Sequence, residues 1–491
     1  MDVLEMNRLI MRISYFVKKH ASGLLIVLVL SGCSSVGLDY VRPEPPLPSR
    51  WNTGSDSNSA AVRLDAGLMA RWWSTFNDPE LTNLIERAIK GNTDLRKAVS
   101  RIREARAQRE ISRAALFPST TASGSLQHTN AGSQTGVVTV PDQYSLGLDA
   151  IWELDIFGGK RRSVEAYQAD LDASVEDMRD VLVTLLSEVA TDYLDVRSYQ
   201  TRLSIAEENR DAQQNTYQIT KWRFEAGLTT ALDVEQALYN LEQTRSNLPV
   251  LEIDLEAAEN SIDVLLGLHP GSLKSELAER KPIPAASLDI AVGVPSDVLR
   301  NRPDVRRAER KLAAQTARIG VAVADLYPQF TLTGNIGLDA ISAGKLFASG
   351  SRTSGYSPGF SWNIFDAGSI RQNIEVQNAL QEQALIDYEA AILSALKDVN
   401  NGLFAFAREQ TRRRSLREAS QAAKRAVDFA ESQYISGLID FTVVLDAQRS
   451  LLSLQDDLEQ SETAVMSDLI ALYKALGGGW EPPNSDTLEK K

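Results

Sequence analysis

The sequence predicts an α+β membrane protein assembled from two copies of one half-domain, each with two β-strands and two long helices. Three patterns in its 491 residues carry this expectation. Residues recur at a constant offset, helix breakers are missing from long stretches, and runs of about ten residues alternate apolar with polar side chains.

The repeat has an offset of 210 residues. Asp94 pairs with Asp304, Pro118 with Pro328, Trp152 with Trp362, Gly227 with Gly437 and Gly267 with Gly477. The contexts match as well: Leu116-Phe117-Pro118 stands against Leu326-Tyr327-Pro328, and Ala226-Gly227-Leu228 against Ser436-Gly437-Leu438. The period is too long for a solenoid unit and reads as duplication of a half-domain.

In chain order the sequence divides into a leader (1–32), an arm and linker (33–79), a first copy (80–270), a connector (271–291), a second copy (292–479) and a tail (480–491). The leader has Arg8, Arg12, Lys18 and Lys19 ahead of an apolar run from Ala21 to Leu30. That run is about ten residues, and a membrane-spanning helix needs about 20, so it reads as a secretory signal that is removed. Leu30-Ser31-Gly32-Cys33 resembles the bacterial lipobox, and Cys33 is the chain's single cysteine. The resemblance implies an N-palmitoyl, S-diacylglycerol Cys33 as the mature N-terminus. Ser34, in the place where Asp would favour inner-membrane retention, points to the outer membrane.

Each copy opens with a helix. Strands follow at about 119–129 and 143–154 in the first copy, and at about 329–339 and 355–364 in the second. Phe330, Leu332, Gly334, Ile336 and Leu338 alternate with Thr331, Thr333, Asn335, Gly337 and Asp339. This length and alternation suit a tilted strand of an outer-membrane barrel. Long helices are then expected at about 162–225 and 230–266, and at about 370–435 and 440–476. From Leu171 through Val175, Met178, Leu182, Leu185, Val189 and Tyr193 to Val196 the apolar steps are three or four, a heptad-like seam. A helix of about 64 residues rises roughly 95 Å and must be buried by neighbours along its length. Gly227 and Gly437 stand where each long helix folds back.

Four strands cannot close a membrane barrel, which needs about eight or more. An open edge in lipid leaves backbone groups unsatisfied. The barrel is therefore shared between chains. Two chains give eight strands with an interior filled by side chains; three give twelve and a lumen.

The whole chain carries a formal charge of −13. Removing residues 1–32 leaves 48 Lys/Arg against 63 Asp/Glu, a net −15. An acidic surface argues against nucleic acid as a partner. The three histidines, His20, His128 and His269, have no second ligand at metal spacing, and no phosphate loop or nucleophile elbow is present. No enzyme, metal site or cofactor is expected.

Several motifs sharpen this. They are Asp39-Tyr40-Val41-Arg42-Pro43, the run from Arg71-Trp72-Trp73 to Asp78-Pro79-Glu80-Leu81, Asn301-Arg302-Pro303-Asp304-Val305, and Leu445-Asp446-Ala447-Gln448-Arg449. In this order, with the duplication and the lipobox, the chain resembles the outer membrane efflux protein family of the TolC type, and within it the lipidated OprM-like, NodT-group branch. The resemblance covers nearly all of the mature chain. It implies a homotrimer with a shared twelve-stranded outer-membrane β-barrel continued by a periplasmic α-helical barrel. It also implies a periplasmic adaptor (membrane fusion protein) and an inner-membrane pump of the resistance-nodulation-division class as partners. The implied function is an exit duct for drugs and other toxic small molecules, a multidrug-resistance role. Two other readings are a duct for type I protein secretion and a lipid-anchored periplasmic coiled-coil scaffold.

The resemblance also implies a gate at the second copy's helix turn, held by Asp446 and Arg449 with Tyr434 in the link. Asp446 and Arg449 are one helical turn apart. Without the resemblance they read as solvated helix charges. The first copy has Gln236, Tyr239 and Phe224 at the matching positions, so the charged pair belongs to one copy only; Asp233 is the nearest acid there. The turns Gly227-Leu228-Thr229 and Gly437-Leu438 are candidate adaptor contacts.

Overall fold

A computed structural model describes residues 35–44, 48, 66–128, 142–286 and 301–480. The leader, Cys33, residues 129–141, part of the connector and residues 481–491 lie outside the described residues.

The elements run α1 (Pro79–Gly91), α2 (Thr93–Ala114), β1 (Ser119–Gln127), β2 (Gln143–Leu154), α3 (Gly159–Glu225) and α4 (Ala231–Leu265). They continue as α5 (Pro303–Ala324), β3 (Gln329–Ala340), β4 (Arg352–Ser361), α6 (Ser369–Ile435) and α7 (Phe441–Ala475). Both ends of α2, α3 and α4 recur 210 residues later as the ends of α5, α6 and α7. The two long helices have 67 residues each, about 100 Å of helical rise. The two shorter ones have 35 residues each. Helix α4 continues through Pro249, which removes one internal backbone donor. The matching position in α7 is Glu459.

The chain forms two compact units. The first comprises residues up to 44, 101–174 and 307–388 and contains the sheet. Four antiparallel strands are ordered β1-β2-β3-β4, and the β2–β3 ladder joins the two copies. Register explains the alternation seen in the sequence. Leu148 faces Ala122 and Ile336, Trp152 faces Leu332, Phe330 faces Phe360, and Gly334 faces Tyr356. Because side chains alternate with period two, these residues share one face. The other face takes Asp149 opposite Thr121 and Asn335, Glu153 opposite Thr331, and Ser145 opposite Ser125 and Asp339. The apolar face is bare: Ile336, Tyr356 and Phe360 are all mostly exposed. Among the described residues, outer strands β1 and β4 each have one neighbour, so the sheet has two open edges.

One strand differs from expectation. Strand β4 spans Arg352–Ser361 rather than about 355–364. Its last partner is Gln329, where β3 begins directly after Tyr327-Pro328, so Trp362 and Ile364 have no ladder to join. Trp362 Nε1 instead donates to Leu326 O at 3.0 Å, as Trp152 Nε1 does to Leu116 O at 3.0 Å. Both tryptophans tie a strand end to the close of the preceding helix, 210 residues apart.

The second unit comprises residues 45–100, 175–306 and 389–491. Its core explains the Arg71-to-Leu81 run. Trp72, Phe76, Leu81, Leu84 and Ile85 are buried with Leu186, Val189, Tyr193, Leu469 and Tyr473. Trp72 stacks on Tyr473 with centroids 5.5 Å apart. Asp78 caps α1, accepting from Glu80 N and Leu81 N, and takes the Tyr193 hydroxyl at 2.8 Å. Arg197 is fully buried, and donates to Glu80 at 2.7 Å and to the Glu279 carbonyl at 2.7 Å. Burying a charge is costly unless it is paired in this way.

The Asn301-to-Val305 run closes a helix end. Arg302 donates to the Ala475 carbonyl at the C-terminus of α7 and pairs with Asp304 and Asp398. A cation there meets the negative end of the helix dipole. In the first copy Asn92 does the same for α4, donating to the Leu265 carbonyl at 2.9 Å. Residues 92 and 302, and 265 and 475, are equivalent pairs: the bond has survived a change of side chain.

Candidate functional site

The helix turns in the second unit are built alike. Gly227 has φ +72° and Gly437 φ +73°, a left-handed conformation that a residue with a Cβ rarely adopts. Leu228 N donates to Arg223 O and Gly227 N to Phe224 O. Leu438 N donates to Gln433 O and Gly437 N to Tyr434 O. These paired bonds are the Schellman closure of a helix C-terminus. They push Leu228 and Leu438 outward, 67% and 74% exposed.

The helix starts that follow are not alike. Thr230 and Asp233 form a reciprocal capping box on α4. Burial pushes the Asp233 carboxyl up, but bonds from the Thr229 and Thr230 hydroxyls and the Thr230 amide outweigh it and hold the pKa below the usual aspartate value. Asp233 is therefore engaged in its own turn. Asp440 starts α7 without any side-chain cap.

A small core holds the two tips together. Tyr434 and Phe441 pack at 5.2 Å among Ala237, Ala430, Val444 and Leu445, with Tyr217 against them. Arg223 lies over the Tyr434 ring at 4.6 Å and donates to the Ile435 carbonyl. The Tyr434 hydroxyl is buried with no hydrogen-bond partner among the described residues.

Asp446 and Arg449 are on one side of α7, as their spacing predicts, but 3.9 Å apart. Asp446 is 78% exposed. The stronger bond of Arg449 crosses to the other copy. Its Nε donates to Asn240 Oδ1 at 2.9 Å, and its guanidinium lies 5.6 Å from the centroid of Tyr239. Tyr239 is the residue that the 210 offset matches to Arg449. Just before it in the chain, Gln448 donates to Thr216 and Glu431. Two turns further along α7, Asp456 takes a fork from Arg202 of α3 at 2.6 and 3.3 Å. Arg449, Tyr239, Asn240, Arg202 and Asp456 all line a cavity of about 660 Å³ between α3, α4 and α7.

The arrangement can hold two helical hairpins together by a few polar bonds, each joining a buried partner such as Asn240 or Gln448, or a half-buried one, to a neighbour nearer the surface. Such bonds contribute little each and can be exchanged for water. Reasoning from the sequence missed Asn240, Arg223 and Gln448. The offset pointed to Tyr239 only as a counterpart, not as a neighbour.

The family described as outer membrane efflux protein matches residues 84–268 and 294–478, two blocks whose ends are again 210 residues apart. Nodulation protein T of Rhizobium leguminosarum bv. trifolii is 33% identical over 460 residues, covering 93% of this chain and 96% of that protein. The toluene efflux pump outer membrane protein TtgC of Pseudomonas putida is 34% identical over 461 residues, covering 92% and 94%. The solved structure of the outer-membrane channel OprN aligns with TM-score 0.85 at 36% identity, over 91% of this chain and all of that one. With its duplicated α+β fold and bare apolar sheet face, the chain belongs to the outer membrane efflux protein family: it is an outer-membrane channel and not an enzyme.

Proposed function

We propose that the chain is the passive exit duct of a tripartite efflux system, working as a homotrimer that closes a twelve-stranded barrel in the outer membrane. The observation that supports this most is the four-stranded sheet with one apolar face and two open edges. An unpaired edge in lipid is costly, and neighbouring copies supply the missing strands. Acyl groups on Cys33 anchor each chain. A periplasmic adaptor docks at the turns Gly227-Leu228-Thr229 and Gly437-Leu438, and an inner-membrane pump of the resistance-nodulation-division class delivers drugs or other toxic small molecules.

The gate lies where the tips meet. Three copies of Asp446 around an axis repel one another unless Arg449 counters them, and paired with it they help to hold the closed state. Arg449 and the Tyr434–Arg223 stack hold the second-copy hairpin against the first, and Asp233 stiffens the neighbouring turn. Opening replaces these bonds with water, at a cost of a few kcal/mol spread over several groups. The test is single-channel conductance in planar bilayers. Asp446→Ala with Arg449→Ala raises the closed-state conductance several-fold; unchanged closed-state conductance contradicts the gate.

A further inference from the structure

Residues 35–42 belong to neither copy, yet the first unit holds them by a dense set of bonds. Arg162, on the first turn of α3, has a side chain only 5% exposed. Its Nε donates to the Val36 carbonyl at 3.0 Å, and its terminal nitrogens reach the Gly37 carbonyl at 3.3 Å, Asp39 at 2.6 Å and Glu165 at 2.7 Å. Val36 N donates to the Phe157 carbonyl at 3.0 Å.

Three glycines make room. A Cβ on Gly37, whose φ is +90°, would lie 2.6 Å from Gly320 Cα. One on Gly158 would lie 2.7 Å from Ser35 Cα, and one on Gly320 would lie 3.1 Å from the Val36 carbonyl. Further along, Tyr40 packs on Ala169, Ala313 and Ala314, and its hydroxyl reaches buried Glu309 at 3.5 Å, which also pairs with Arg42. Leu38 and Val41 point away and stay exposed.

The two sides of this groove come from different copies. Phe157, Gly158, Arg162 and Ala169 are first-copy residues; Glu309, Ala313, Ala314 and Gly320 are second-copy residues on α5. The groove adjoins the end of the sheet where Leu154 pairs with Phe330 and Phe157 stacks on Tyr327 at 4.6 Å. The segment thus crosses the seam between the copies beside the β2–β3 ladder.

We propose that Arg162 and Gly320 form a docking site for the chain's own N-terminal segment, Ser35–Arg42, which straps the two copies together and fixes the lipid anchor at the foot of the sheet. This rests on acylation of Cys33. Cys33 and Val36 are three residue steps apart, and an extended chain spans about 3.5 Å per step. The acylated end is therefore held within about 10 Å of Val36, where β2 gives way to α3. Docking by backbone bonds and a buried guanidinium makes Arg162 a positioning residue for the anchor. Lysine, with a point charge and no fork, cannot replace its fan of bonds.

The test places a nitroxide on Leu38→Cys in the full-length, acylated protein, where Cys33 is blocked by its lipid. Because the backbone beneath Leu38 is tied down, the motion of the label is restricted in the parent, and it becomes freely mobile in both Arg162→Ala and Gly37→Val. The second variant alters only the strap and leaves α3 untouched. In both, the fraction of SDS-resistant oligomer falls several-fold. If Gly37→Val frees the label but leaves the oligomer fraction unchanged, or if the label stays immobile in Arg162→Ala, the proposal is overturned. In Cys33→Ser, where the introduced serine takes neither lipid nor label, the strap stays docked, the barrel still holds the protein in the membrane and only the acyl groups are lost; a mobile label there overturns docking by Arg162. The mass of the mature protein reports acylation separately: an unmodified Cys33 overturns the anchoring role while the label still reads the docking.

Discussion

Arg449 forms its shortest bond with a residue 209 positions away, Asn240, and only a long contact with Asp446 one turn from it. The two contacts make different predictions. If the crossing bond holds the tips, Asn240→Ala raises closed-state conductance nearly as much as Arg449→Ala, and Asp446→Ala alone does so less; bilayer recordings of the three variants give the order. The equivalent caps Asn92 and Arg302 offer a second test. Arg302→Ala leaves Asp398 without its guanidinium and the Ala475 carbonyl without its donor, and Asn92→Ala removes two neutral bonds, the one to the Leu265 carbonyl and the one its Oδ1 accepts from Leu95 N. Losses of about 1.5–3 kcal/mol per bond for the first and about 1 kcal/mol per bond for the second are expected, since bonds to charged groups are the stronger; denaturant midpoints measure both.

Glu459 is a third case at this scale. Burial, then the neighbouring Glu462, push its carboxyl up to about 7, while the Thr201 hydroxyl and Arg202 on α3 pull the other way and Asp456 adds to the rise. A carboxyl that holds its proton in the folded state to about pH 7, against 4.5 when free, contributes its full stability below 4.5 and loses it as pH rises through 7. Thermal unfolding is therefore expected at lower temperature at pH 8 than at pH 5.5. Glu459→Gln flattens that difference; a variant with an unchanged pH slope places the titrating group elsewhere.

At the scale of elements, most of the fold was legible. The offset and the missing helix breakers fixed all four long helices closely, because a duplicated turn glycine marks both sides of each hairpin. The strands were legible from their period, except for the end of β4, where pairing depends on where β3 begins and not on the alternation of β4 itself. The neighbours of the tip residues were not legible. Side chains that meet across two hairpins carry no periodic signal, and Asn240 on its helix reads like any polar surface residue. The turns themselves make a prediction. Gly227→Val and Gly437→Val force a β-branched residue to positive φ and fray the last turn of α3 or α6, at a cost of about 1 kcal/mol or more. Although nothing lies within 4 Å of where either Cβ would start, adaptor binding measured by surface plasmon resonance weakens in both, because Leu228 and Leu438 lose their fixed direction. Unchanged binding in both argues against the turns as the docking surface.

At the scale of the whole molecule, the duplication gives one chain a seam of its own at β2–β3 and leaves β1 and β4 open. Everything that makes the chain a duct follows from how those edges are filled. Two chains would give eight strands and a barrel filled by its own side chains, while three give twelve and a lumen. The copies have kept their helix bounds and tryptophan bonds alike and have parted at the helix tips, where Arg449 of one copy rests on the tyrosine that replaces it in the other. The most direct test is the native mass of the detergent-extracted protein, with lipid counted. A particle of three chains is expected, falling to single chains only on heating in SDS. A stable dimer, or a monomer that still conducts in bilayers, would contradict it.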